Sequence, residues 1–154
     1  MFSGSIQQLN VTPRAFLPMR TVDTLELVEG KGIVGDRYFN GAGFYSDLPE
    51  DGRQVTFFEL ETLDALRRDH GIALAADQHR RNITTRGVPL NHLVGVRFRI
   101  GSALVEGTRL STPCRHIEQI TGQEIFTFLL NRSGLHARIV RGGLIRAGDV
   151  IIPA

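Results

Sequence analysis

Arg97-Phe98-Arg99-Ile100-Gly101-Ser102-Ala103-Leu104-Val105-Glu106 is the stretch on which the fold turns. Residues 97–100 alternate polar with apolar, Gly101-Ser102 supplies a turn, and 103–106 resume a β-type run, as in a half-buried hairpin. Similar short runs, rich in branched and aromatic residues and separated by glycine turns, recur on either side: Ser5 to Val11, Thr21 to Val28, Gln54 to Glu59, Ala137 to Val140 and Val150 to Ile152. Near the end, Gly142-Gly143 and Ala147-Gly148-Asp149 punctuate two short strands. Two helical patterns interrupt this series. Glu59 to His70 places Leu60, Leu63 and Leu66 on one face, with Gly71 as a stop signal. Thr121-Gly122-Gln123-Glu124 has the form of a capping box ahead of an apolar stripe, Ile125, Phe128 and Leu129, which Asn131 to Gly134 breaks. The expected fold is mainly β: a closed or nearly closed barrel, which removes exposed strand edges, with two short covering helices.

A chain of 154 residues, 42% of them hydrophobic, buries one sizeable core, so a single domain over residues 1–154 is expected. A net charge of +2 without blocks of like charge argues against a nucleic-acid tail or a polybasic membrane anchor. No apolar stretch approaches the roughly 18–20 residues that span a bilayer, and the opening Met1-Phe2-Ser3-Gly4-Ser5 lacks a signal-peptide layout. One cysteine suits a reducing compartment, so the expected location is cytoplasmic. Every basic residue except Lys31 is arginine, whose planar fork grips phosphate or carboxylate at two points. An anionic, phosphate-bearing ligand is the first expectation, with most of these arginines serving as solvated surface.

Three segments carry candidate chemistry. Gly30-Lys31-Gly32-Ile33-Val34-Gly35 fits the pattern of a dinucleotide-binding turn, but turn-rich residues follow it where that motif needs a helix. It reads as a glycine-shaped loop presenting Asp36 and Arg37, either to a ligand or to each other. Arg80-Arg81-Asn82-Ile83-Thr84-Thr85-Arg86-Gly87 concentrates donors fit for a multi-oxygen anion; strand alternation would split them between two faces, so only a subset can meet one ligand. Thr112-Pro113-Cys114-Arg115-His116 sets the only thiol beside two potential cations and before a helical turn, Ile117 to Ile120. Nearby positive charge favours thiolate, the form that attacks electrophiles or binds soft metals. A buried structural cysteine is the alternative. His70, His79, His92, His116 and His136 lack the close pairing of a zinc site, and only His116, next to the thiol, is singled out.

Taken in order, these pieces resemble the MOSC domain, found at the C-terminus of molybdenum-cofactor sulfurases and as free-standing bacterial proteins. The resemblance rests on Gly32-Ile33-Val34-Gly35-Asp36-Arg37, on Arg81-Asn82-Ile83 with Gly87, and on Leu93-Val94-Gly95 with Phe98-Arg99-Ile100-Gly101. It extends to Pro113-Cys114, to Gly134 to Ala137, and to Gly143 through Val150. It implies a barrel like the small barrel domain of pyruvate kinase, and a role in handling molybdenum cofactor or its sulfur. On that resemblance Cys114 would ligate the metal or carry sulfur, Asp36, Arg37, Arg81 and Asn82 would hold the anionic pterin cofactor, and His116 would tune the thiol. Lys31, the sole lysine, lies in a glycine turn, so a pyridoxal-phosphate Schiff base is not expected. Two other readings stay open: a reductase of N-hydroxylated compounds served by an external redox partner, and a non-catalytic sulfur-delivery adaptor docking on a partner enzyme.

Overall fold

The computed structural model describes residues 1–41, 53–113 and 115–154. Its strands, in chain order, are β1 (Gly4–Val11), β2 (Arg20–Val22), β3 (Thr24–Val28), β4 (Gly32–Ile33), β5 (Val55–Glu59), β6 (Ile83–Arg86), β7 (Arg97–Ile100), β8 (Ala103–Leu110), β9 (Leu135–Arg141), β10 (Gly143–Arg146) and β11 (Val150–Pro153). Helix α1 (Leu60–His70) follows β5, and α2 (Arg115–Thr121) follows β8.

β11, β7, β8, β9, β5, β6 and β1 pair in that order, and β1 returns to β11 through Gly4 opposite Ile151, closing a seven-stranded barrel. The hairpin read from the sequence is its β7–β8 unit, with Arg97 opposite Glu106 and Ile100 opposite Ala103. β5 and β6 run parallel, which requires a crossover, and α1 provides it. The run Thr21 to Val28 divides at Asp23: β2 stays with β1, while β3 leaves to form a three-stranded sheet with β10 and β4.

Two apolar cores lie on opposite sides of the barrel wall. Leu9, Phe57, Ile83, Phe98, Val105 and Ile139 fill the inside. Outside, Phe58 packs with Leu63 and Leu66 of α1, Leu74, Ile117 of α2, Ile125 and Leu129. β5 is buried on both faces because alternation sends Val55 and Phe57 inward and Thr56 and Phe58 outward, under the helical cover.

α1 matches its expected span and ends at Gly71, whose φ of 66° is left-handed. The second helix differs. Thr121-Gly122-Gln123-Glu124 ends a helix instead of starting one, for α2 precedes it: the Thr121 hydroxyl donates to the Ile117 carbonyl at 2.7 Å, and Gly122 takes a φ of 70°. The cap for the following turn comes from Glu118, whose Oε2 accepts from the backbone N–H of Ile125 at 3.0 Å and Phe126 at 3.2 Å. Ile125 and Leu129 are buried there, in a single 3-10 turn at Thr127–Leu129 rather than an α-helix.

Candidate functional site

On the outer wall beside the second core, the barrel carries polar side chains. His136 of β9 sits opposite Thr56 of β5, and both point away from the interior that Leu135, Ala137 and Phe57 fill. Asn82, just before β6, brackets three strands. Its Oδ1 accepts from the Thr56 N–H at 3.1 Å and the Thr56 hydroxyl at 3.0 Å, and its Nδ2 donates to the Asn10 carbonyl at 3.2 Å. The amide is thus engaged with the protein at both ends, and Asn82 fixes the position of its neighbour, Arg81.

Arg81 reaches Ser133, donating from Nε to the carbonyl at 3.1 Å and from Nη2 to the hydroxyl at 3.3 Å. Its own backbone N–H donates to Nδ1 of His79 at 2.9 Å, so Nε2 of that ring carries the proton and donates to the Thr84 hydroxyl at 2.7 Å. The imidazole stacks on Phe58 with centroids 4.4 Å apart. Burial, aided by the Arg81 charge, pushes its pKa down to about 3, and His79 is a neutral pin beneath the arginine turn.

Asp36 and Arg37, presented by the loop after β4, are buried and pair with each other at 3.2 Å. Asp36 Oδ1 also accepts from the Thr12 N–H at 3.2 Å, and Arg37 Nη2 donates to the Arg80 carbonyl at 2.7 Å. The pair therefore joins the end of β1 to the Arg80-Arg81 turn. Of the sequence candidates, the structure brings Asp36, Arg37, Arg81 and Asn82 to this turn.

The charge focus is His136. Burial first, then the charges of Arg81, Arg109, Arg53 and Arg37, push its pKa down to about 2. A neutral imidazole ringed by guanidinium groups is an electropositive pit rich in donors. Two buried polar atoms in this region have no hydrogen-bond partner: Nδ1 of His136 and the hydroxyl of Ser111, which leads toward Cys114. Each such atom costs about 1–3 kcal/mol of desolvation that a polar guest would offset.

Arg80 adds a second unsatisfied group. It is 6% exposed with a left-handed φ of 71°, and its Nη1 donates to the Leu17 carbonyl, yet its Nε and Nη2 are buried without partners. Burial and then Arg37 lower its pKa to about 10, leaving it charged at neutral pH. It lines a cleft of about 530 Å³ with Phe16, Pro18, Met19, Asp77, Gln78, Gln119 and Thr121. Sequence reasoning passed over Arg80, Arg53, Arg109, Ser111 and His136; the doubled arginine at 80–81 is the one local signal that marks the first of them.

Cys114 lies outside the described residues, as does the side chain of His116. Their neighbours are described: Ser111 and Pro113 are buried, and Arg115 opens α2. The Arg115 guanidinium donates to Glu118 at 2.8 Å and covers the Phe126 ring at 4.7 Å, so its charge is shared with a carboxylate.

A closed barrel bearing a donor-rich pit on its outer wall defines a binding domain for an anionic ligand. The chain belongs to the MOSC domain family, whose model matches residues 45–152, from just before β5 into β11 and so including Arg81 and His136. Solved structures with the same fold include the YuaD protein from Bacillus subtilis, at 20% identity and a TM-score of 0.81, covering 98% of this chain and 97% of that one. YiiM from Geobacillus stearothermophilus is similar at 16% identity and a TM-score of 0.72, over 98% of this chain and 75% of that one. YiiM from Escherichia coli follows at 19% and 0.69, over 97% and 69%. No curated protein matches the sequence. Among the described residues, no helix is long and apolar enough to cross a membrane.

Proposed function

We propose that this domain binds molybdenum cofactor, an anionic metal-bearing pterin, with Cys114 as the thiolate that ligates the metal or carries sulfur. The observation that carries the reading is the pit at His136: guanidinium groups converge on a neutral imidazole whose Nδ1 is buried without a partner, close to the unpartnered Ser111 hydroxyl. Orphaned polar atoms in a positive field fit a guest rich in anionic oxygens. The chain's only cysteine follows Ser111 by three residues.

Arg81 would bind the anionic part of the cofactor, held at its station by Ser133, while Asn82, Asp36 and Arg37 set the turn that presents it. His116 would adjust the protonation of the Cys114 thiol. When bound, the cofactor supplies a redox-active metal that accepts soft sulfur ligands. A reducing, cytoplasmic setting keeps the thiol available.

The test is to purify the protein from cells supplied with molybdate and measure molybdenum and pterin in the wild type and in Cys114→Ala. Co-purifying cofactor that falls at least about tenfold in the variant supports the reading, in line with loss of a direct ligand. Absence of both components from the wild type, with no affinity for added cofactor, ends it.

A further inference from the structure

We propose that the side-on edge of Arg80, formed by Nε and Nη2, is a receptor for a two-oxygen anionic group, carboxylate or phosphoryl, on the molecule that enters the adjoining cleft. The proposal deepens the reading above and rests on it only for naming the cofactor's phosphate as one of two sources. The other source is a carboxylate on a reacting substrate.

The argument is geometric. Of the three guanidinium nitrogens, only Nη1 is engaged, by the Leu17 carbonyl; the other two are buried with nothing to donate to. Those two N–H groups are parallel and lie on the edge that grips both oxygens of a carboxylate or phosphate at once. The position of the fork is set from below. Arg37 holds the Arg80 carbonyl at 2.7 Å, and the neutral His79 pins the next residue through its N–H at 2.9 Å. The carboxylate that acts on Arg80, Asp36, is already shared between the Thr12 N–H and Arg37, so it does not satisfy the edge.

The walls describe the guest. Phe16, Pro18 and Met19 offer apolar surface, while Gln78, Gln119 and Thr121 offer neutral hydrogen-bonding groups. An organic body with an oxyanion head fits both. Because Nε and Nη2 are shut off from water, the head reaches them as the strap at 13–18, tied to Arg80 through Leu17, gives way.

The full chain, purified without molybdate, is titrated with benzoate and, separately, with inorganic phosphate, following arginine Nε–H resonances by NMR and affinity by calorimetry. The Arg80 resonance is assigned by its loss in Arg80→Lys, which keeps the charge and removes the fork. At least one probe is expected to shift that resonance to saturation, and the lysine variant to bind it about tenfold more weakly. Preference for benzoate identifies a substrate carboxylate, and preference for phosphate the cofactor's tail. An Arg80 resonance that does not move with either probe, or equal affinity in a folded lysine variant, overturns the proposal; should that variant not fold, truncation to Arg80→Gln gives the assignment and the comparison. Because the titration needs no metal, a failure to load molybdenum leaves its outcome unaffected.

Discussion

Acidification should destabilise the protein more steeply than its carboxylates alone would, and His79 allows the size of the effect to be worked out. In the fold its ring is buried, accepts from the Arg81 N–H and sits near the Arg81 charge, which together lower its pKa from 6.5 to about 3. A group with a depressed native pKa gives its full contribution above the unfolded value and loses it as pH falls toward the native one. The window therefore runs from 6.5 down to about 3. Within it the unfolded chain takes up a proton that the native chain refuses, so stability drops by about 1.4 kcal/mol per pH unit, or about 2 kcal/mol between about pH 7 and about pH 5. His136, lowered to about 2 by burial and four arginines, adds a similar slope. Urea unfolding followed by circular dichroism across this range measures the sum. Replacing His79 with Gln should cost stability at neutral pH, through the lost stack on Phe58, yet remove close to one proton from the slope. If the wild type and His79→Gln lose stability in parallel between those pH values, the neutral, buried imidazole inferred here is wrong.

Two substitutions test the framework of the site. Asn82→Ala leaves the Thr56 N–H, the Thr56 hydroxyl and the Asn10 carbonyl without their buried partner, and should lower the unfolding free energy by about 3–5 kcal/mol in urea titrations; a loss under about 1 kcal/mol would contradict the bracket. Gly134→Ala would set a Cβ 2.0 Å from the Phe57 carbonyl oxygen at a φ of 101°, so soluble expression should fail or the thermal midpoint fall by at least about 10 °C.

Much of the barrel can be read in the sequence where one strand face is wet and the other dry. The β7–β8 hairpin is such a case: Phe98 and Ile100 are buried and Arg97 and Arg99 exposed, and period-2 alternation reports it directly. β6 hides because both of its faces are covered, and Thr84 and Thr85 are buried through hydrogen bonding rather than apolar packing. The second helix misleads because Thr121 and Glu124 have the right spacing for a cap, while the real cap, Glu118, acts across seven residues. At the site, residue type identified Asp36, Arg37, Arg81 and Asn82, which do gather at one turn. It could not say which side chains spend their polar groups inside the protein, as Asn82 and Asp36 do, or that Arg80 leaves an edge unmatched. That distinction depends on burial, which local sequence does not encode.

The two cores divided by the barrel wall give the molecule two different tolerances to change. Strands locked in a closed ring resist alteration, since each is stitched on both sides to a neighbour. The outer cover, from α2 to Leu129, is fastened mainly through a few apolar anchors, Ile117, Ile125 and Leu129, and the Glu118 cap. Residues facing the cleft from that cover, Gln119 and Thr121, can accordingly diversify without disturbing the ring, and hydrogen exchange there should outpace exchange in β5 and β9. A lineage could retune what the cleft admits by editing this cover alone, keeping an unchanging chassis beneath it.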